Sequence, residues 1–334
     1  MSYKFKERQL RLTGGIVLNE NNTQNIVLDL GFGYTKGKRG NRYFLEPSVI
    51  GEPRELLEEQ LKMDDIICDQ FFVGNLALRQ SNFIYYSMEE NKAKNQVTEV
   101  LMKSAISCVA EPNKKINLVT GLPYSMHTAQ KDQMVKLINS INNKECSSYI
   151  VKEGNNSLVV GIENYKILAQ GFGAAMNYLL DDNGNLIRKE EAKKRILVVD
   201  IGFYTLDLII LEGMEINKKS RSDTDLGVSA LYEVIMEHLK GKRPQLHMLD
   251  QCVRKREFDG YNISSLVDRA FESYSRQIES VINSLNMNFL KIILSGGIAP
   301  EVAKYLNFDN LYLSENSQFD NLNGYEKVAK RLWG

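Results

Sequence analysis

Three short segments carry the residue types that hold phosphate and metal. Asp29-Leu30-Gly31-Phe32-Gly33-Tyr34-Thr35-Lys36 and Asp200-Ile201-Gly202-Phe203-Tyr204-Thr205-Leu206-Asp207 each place a carboxylate at the end of an apolar run and then turn on glycine. Ile293-Leu294-Ser295-Gly296-Gly297-Ile298 ends a third apolar run in two glycines. Glycine lets the backbone approach an anion closely and take positive φ, and successive N–H groups in such a turn form an anion-binding concavity. A carboxylate repels phosphate, so the task open to Asp29 and Asp200 is to hold Mg²⁺, usually through its retained waters. Lys36 follows Asp29 as a flexible cation able to neutralise phosphate charge. Taken singly, each segment is an ordinary turn and Lys36 a surface lysine. Their order, each directly behind an apolar run, points to a metal–triphosphate bracketed by Asp29 and Asp200 from two halves of the chain.

The elements that must position these turns follow from periodicity. Strands are predicted over 25–30, 116–120, 196–200, 206–211 and 291–294, and a further one over 16–18 within the stretch that precedes the first turn. Apolar residues at 97, 100, 101, 105 and 108 predict a helix, as do the patterns over 127–141, 173–180, 263–285 and 323–333. The segment 157–169 predicts a hairpin turning near Glu163-Asn164, which delivers Gln170 just before Gly171-Phe172-Gly173. Asp225-Leu226-Gly227 opens a helix running to about 239. Residues 44–73 are mixed and loop-rich, 181–185 is a turn of Asp, Asn and Gly, and 241–260 shows no clear pattern. The run Arg188 to Arg195 mixes both signs and predicts a solvated crossover rather than a nucleic-acid patch. The unit of apolar strand, Asp-x-Gly and polar turn occurs once in each half.

Composition narrows the class. The chain has 334 residues, 43% hydrophobic, with 42 Lys and Arg against 42 Asp and Glu. That balance leaves no broad basic field for direct nucleic-acid binding. The N-terminal residues lack the apolar core of about 7–15 residues of a signal peptide, and no run reaches the ~18 apolar residues that span a bilayer. Cys68, Cys108, Cys146 and Cys252 form no CxxC pair, and His127, His238 and His247 lack paired metal-ligand spacing. Packed, reduced thiols in a cytoplasmic protein without a membrane partner are expected.

The three turn segments resemble the two phosphate motifs and the adenosine motif of the actin superfamily. Phe72-Val73-Gly74-Asn75-Leu76-Ala77, Thr120-Gly121-Leu122-Pro123 and Phe319-Asp320-Asn321-Leu322-Asn323-Gly324-Tyr325 resemble segments of its ParM and archaeal actin-like group. The resemblance implies an α/β, duplicated ribonuclease-H-like two-domain fold with a nucleotide cleft between the domains. It implies an extension over 1–24, a first domain over 25–190 with a small subdomain inserted at about 40–95, a second domain over 191–320, and a helix over 321–334 packing back on the first. ATP or ADP with Mg²⁺ would be the ligands. Asp29 and Asp200 would organise the metal; Gly31, Phe32, Gly33, Tyr34, Thr35 and Lys36, with Gly202, Phe203, Tyr204 and Thr205, would clasp the β- and γ-phosphates. Ser295, Gly296, Gly297 and Ile298 would underlie the adenosine, with Asp225 and Gly227 near the ribose. Gln170 stands where relatives carry the residue that orients the attacking water. Phe203-Tyr204 departs from the small residues common in the second phosphate turn, so those side chains must point away from phosphate. The activity implied is ATP hydrolysis coupled to filament assembly, serving plasmid segregation or cytoskeletal positioning, with a DNA-binding adaptor as a second partner. A small-molecule kinase of the same superfold and a non-filamentous ATP-binding scaffold remain alternatives.

Overall fold

The computed structural model describes residues 23–87, 96–150, 153–239, 244 and 246–334. The strand expected over 16–18, and part of 241–260, lie outside the described residues. Contacts divide the chain into two compact units. Unit 1 holds the described residues up to Leu122, with Met126–Leu168 and Tyr325–Gly334; unit 2 holds Pro123–Ser125 and Ala169–Gly324.

Unit 1 begins with β1 (Thr23–Leu30), β2 (Tyr34–Arg39), β3 (Arg42–Pro47), β4 (Val49–Gly51), β5 (Ile66–Cys68) and β6 (Phe71–Val73). It continues with α1 (Asn75–Gln80), β7 (Ile84–Tyr86), α2 (Gln96–Val109), β8 (Lys115–Leu122), α3 (Tyr124–Ile141), β9 (Lys144–Ile150), β10 (Gly154–Val160) and β11 (Ile162–Ala169). One sheet runs β11-β8-β1-β2-β3, and a second runs β10-β9-β5-β6-β4-β7. α2 packs against strands of both sheets, so it is buried well beyond one stripe, with Met102, Ser104, Ile106 and Ser107 also inside.

Two expectations are corrected here. Residues 157–169 are not a hairpin: β10 pairs with β9 and β11 joins β8 in the other sheet. The chain crosses between sheets at Gly161, where the Asn142 amide binds both Ile162 N (2.7 Å) and Ile162 O (3.1 Å). Glu163 and Asn164 lie inside β11, where Asn164 bonds Asn117 across the sheet. Alternation names the faces of a strand but not its neighbour. The loop-rich stretch 44–73 holds strands β3 to β6; β3 belongs to the first sheet, and the second is completed by β9 and β10 from far along the chain.

Unit 2 begins with α4 (Phe172–Leu179), α5 (Lys189–Ala192), β12 (Arg195–Ile201), β13 (Leu206–Glu212), β14 (Glu215–Ile216), β15 (Arg221–Asp223) and α6 (Val228–Glu237). Then come α7 (Leu246–Lys255), the short pair β16 (Glu257–Phe258) and β17 (Tyr261–Asn262), α8 (Ser264–Ser284), β18 (Lys291–Ser295), α9 (Ala299–Ala303), β19 (Leu311–Leu313) and α10 (Asp320–Trp333), which starts in this unit and whose residues from Tyr325 on belong to unit 1. Its sheet runs β14-β13-β12-β18-β19, with β15 also on β13. Residues 169–190 cluster with this unit because α4 packs on β12 and β18.

α8 shows why the long helices form. Val267, Phe271, Tyr274, Ile278 and Ile282 recur at helical spacing and are all buried, each contributing ~1.5–3 kcal/mol relative to exposure. α10 begins three residues before the expected 323. Gly324 inside it is demanded by packing, since a Cβ there would come within 1.8 Å of Gly173 O. No disulfide joins the four cysteines, and among the described residues no helix is long and apolar enough to cross a membrane.

Candidate functional site

In unit 1, β1 and β2 pair with Asp29 opposite Lys36 and Leu30 opposite Thr35, leaving 31–34 as the connecting turn. Asp29 is buried, and Lys36 Nζ lies 2.9 Å from its Oδ2. Gly31 is sterically required: a Cβ would stand 2.6 Å from Tyr34 O. Ser48, which sequence reasoning missed, is wholly buried beneath the turn. Its Oγ donates to Gly31 O (2.6 Å) and its backbone N–H to Gly33 O (2.9 Å). A hydroxyl has one proton, so Thr35 Oγ1, 2.9 Å away, is the donor to Ser48 Oγ. The Thr35 side chain therefore braces the turn, and the backbone N–H groups of 31–35 remain the anion-facing candidates.

In unit 2 the same construction recurs with a different charge. β12 and β13 pair with Asp200 opposite Asp207, and Gly202 N donates to Thr205 O (2.9 Å) to close the turn. The start of α6 supports it from behind: Val228 N donates to Gly202 O (3.0 Å) and Ser229 N to Phe203 O (2.8 Å). Gly227 lies flat against this backbone, and a Cβ there would meet Tyr204 C at 2.3 Å. The bulky Phe203 is accommodated because its ring packs into the unit 2 core, 6.4 Å from Tyr232 and edge-on to Tyr204 at 4.8 Å. Asp207 is buried and accepts from Ser222 and from Thr205 Oγ1 (3.4 Å). Burial pushes its carboxyl up to about 7; the Ser222 hydrogen bond opposes this, and the neighbouring Asp200 charge adds to it.

Gln170 and Ser295 are brought beside Asp200. β18 runs parallel to β12 with Ser295 opposite Asp200. Gln170 is buried at the end of β11, and the next residue, Gly171 (φ 81°), would carry a Cβ 3.7 Å from Asp200 Cβ and only 2.6 Å from Ile209. Gly296 (φ 115°) presses on the second turn, where a Cβ would meet Ile201 O at 2.4 Å. Ser317 holds Gly296 through N–H to its own carbonyl (3.1 Å) and Oγ to Gly296 O (3.0 Å). Gly297 faces Arg254 and Gln318 at ordinary contact distance, and Ile298 leads into α9. Arg254 is paired with Asp250 (2.9 Å), itself bonded by Tyr232 Oη; no pattern in 241–260 had disclosed them. Asp225 is exposed on the turn before α6, its N–H bound to Asp223 Oδ1 (3.0 Å).

Asp29 to Lys36 belong to unit 1 and the other predicted site residues to unit 2. In unit 2 they gather at the carboxyl ends of β12 and β18, where ligands bind in α/β sheets. Among the described residues no group of three or more His, Cys, Asp and Glu forms a ready-made metal cage. Mg²⁺ does not need one: it takes one or two carboxylates, phosphate oxygens and water. The like-charged Asp200–Asp207 pair suits such an ion.

Two family models align with this chain, that of the actin-like proteins' N-terminal domain over 28–173 and that of the archaeal MreB-like actin homologues' C-terminal domain over 198–307. The chain belongs to the actin-like family. Its two units form the α/β actin-like fold, which it shares with solved structures. The ParM of a 15-stranded filament from Clostridium botulinum matches with TM-score 0.75 at 22% identity, covering 93% of this chain and 99% of that one. The archaeal actin homologue Ta0583 matches at 0.73 and 18%, covering 92% and 100%. Bacillus thuringiensis ParM with ATP matches at 0.65 and 16%, covering 93% and 99%. No curated protein sequence matches the chain. The actin-like matches take in all three glycine turns and Gln170.

Proposed function

We propose that this actin-like protein binds ATP with Mg²⁺ at its glycine turns, hydrolyses it, and assembles with copies of itself into nucleotide-dependent filaments in the cytoplasm. The observation that carries this reading is the Asp200–Asp207 pair at the second turn, with the Gln170–Gly171 peptide alongside and Ser295-Gly296 on the other flank. A buried carboxylate at a strand end, set beside a glycine turn, suits a cation that also binds phosphate. Mg²⁺ would supply charge neutralisation of the phosphates. Asp200 would hold it, with Asp29 as the second candidate. Backbone N–H groups of 31–35 and 203–205 would hold the β- and γ-phosphates, with the Gly202 N–H closing its own turn, and Gly296 and Gly297 would pass under the adenosine. Gln170 is a neutral amide and a poor base, so its part is to orient water for in-line attack. ATP in one relative and a filament in another support the ligand and the self-association.

Thermal melting tests the ligand. A nucleotide that binds only the folded chain adds ~2.7 kcal/mol at a hundredfold excess over Kd. ATP with Mg²⁺ should raise the melting temperature, and no shift with ATP, ADP or GTP would refute the assignment. Electron microscopy with and without ATP and Mg²⁺ tests the assembly.

A further inference from the structure

The Asp200 carboxylate is gripped by a side chain from the opposite end of the chain. Asn321, the second residue of α10, is buried, and its Nδ2 donates to Asp200 Oδ2 (2.8 Å). The other half of the same amide, Oδ1, accepts from Gly171 N (2.8 Å) and Ala174 N (3.2 Å) at the start of α4. One planar group thus fixes both the carboxylate and the peptide that follows Gln170. Among the side chains only an amide offers a strong acceptor and a neutral donor in one rigid unit of this size. The neutrality matters. Lys36 meets Asp29 with a charge of its own, whereas Asn321 holds Asp200 through a neutral amide.

We infer that Asn321 is a positioning residue for nucleotide hydrolysis, holding Asp200 and the Gln170–Gly171 peptide in one fixed relation. The inference rests on the nucleotide reading above. The first turn of α10 has independent anchors within unit 2, so changing Asn321 need not undock it. Asp320 accepts from Asn177 Nδ2 (2.8 Å) and Ser314 Oγ (2.6 Å), and Gly324 closes on Gly173.

The experiment compares the full chain with Asn321→Asp, Asn321→Ser and Asn177→Ala, reading phosphate release, the KM for ATP with Mg²⁺, and melting. Asn321→Asp keeps an acceptor for Gly171 and Ala174 but loses the donor and sets a second charge against Asp200. It should lower kcat about 30-fold or more while KM moves less than about threefold, the split expected when an interaction acts in the transition state. Asn321→Ser removes the amide without adding charge and should show the same split, which keeps the test in place should Asn321→Asp fail to fold. Asn177→Ala loosens α10 without touching Asp200 and should keep kcat within about twofold. Wild-type kcat in the folded Asn321 variants, or an equal loss in Asn177→Ala, overturns the assignment while leaving the nucleotide reading standing. A wild-type chain that neither binds ATP nor releases phosphate overturns both.

Discussion

The first and second glycine turns are built on one plan and charged in opposite ways. In each, an apolar strand ends in aspartate, glycine turns the chain, and the next strand returns antiparallel with a titratable residue across from the aspartate. That residue is Lys36 in unit 1 and Asp207 in unit 2. The Asp29–Lys36 pair is internally neutral and ion-paired at 2.9 Å. The Asp200–Asp207 pair sets two carboxyls across from each other, with the neutral Asn321 donating to Asp200 and with Asp207 pushed up to about 7 by burial first and by Asp200's charge in addition. On the nucleotide reading proposed above, that difference across one strand pair would give the halves different work: a phosphate clasp with its own cation at the first turn, and a seat for an external one at the second.

The sharpest way to break that comparison is to remove each aspartate. Asp200→Ala should cut ATP turnover about a thousandfold, ~4 kcal/mol of transition-state stabilisation, and Asp29→Ala about tenfold. Equal losses in phosphate-release assays would erase the distinction. Loss of fold in Asp200→Ala, seen by circular dichroism, would make the carboxylate a structural turn residue instead.

Gln170→Ala should slow turnover about a hundredfold, ~2.7 kcal/mol, with ATP affinity nearly unchanged. If the chain polymerises, its filaments should then persist, which light scattering on the same sample would follow. Turnover at the wild-type rate would remove Gln170 from the mechanism.

The glycines sharpen the comparison on stability. Gly227→Ala places a methyl 2.3 Å from the Tyr204 backbone, whereas Gly202→Ala meets Thr205 O at 3.0 Å. Overpacking costs ~1–3 kcal/mol, so Gly227→Ala should lie at or above the top of that range and Gly202→Ala near the bottom. Denaturant midpoints in the reverse order would show that α6 does not brace the second turn.

The smallest effect concerns a buried carboxylate in unit 1. Glu46 accepts from Asn75 N (2.8 Å) and Nδ2 (3.0 Å) and is pushed up to about 7 by burial, with Asp65 and Asp64 adding to the rise and the Asn75 hydrogen bonds opposing it. A carboxyl that binds its proton more tightly folded than unfolded costs stability as pH rises from about 4.5 to about 7, and no more above that. Glu46→Gln should therefore melt higher than wild type at pH 8, by at most ~1–3 kcal/mol, with the gap closing below about pH 4.5. A gap that stays constant with pH would show that Glu46 does not titrate in the fold.

Much of this was legible in the residues because it is local. An apolar strand, an aspartate at its end and a glycine behind it are written in consecutive positions, and local sterics make them a turn wherever they fall. The three turns, the amphipathic spacing of α8 and the placement of Gln170 after a strand were readable for that reason. Ser48, Asn321, Asp250 and Arg254 were not, because their roles exist only through partners remote in sequence, as with Asn321 and Asp200. Nor was the neighbour of β10, since alternation of faces is the same whichever strand lies alongside. The sequence by itself determined where the glycine turns form and that two similar halves carry them. Only the tertiary structure decided which charges stand across from each aspartate, and which distant amide aims it, because pairing register and long-range hydrogen bonds are set by packing.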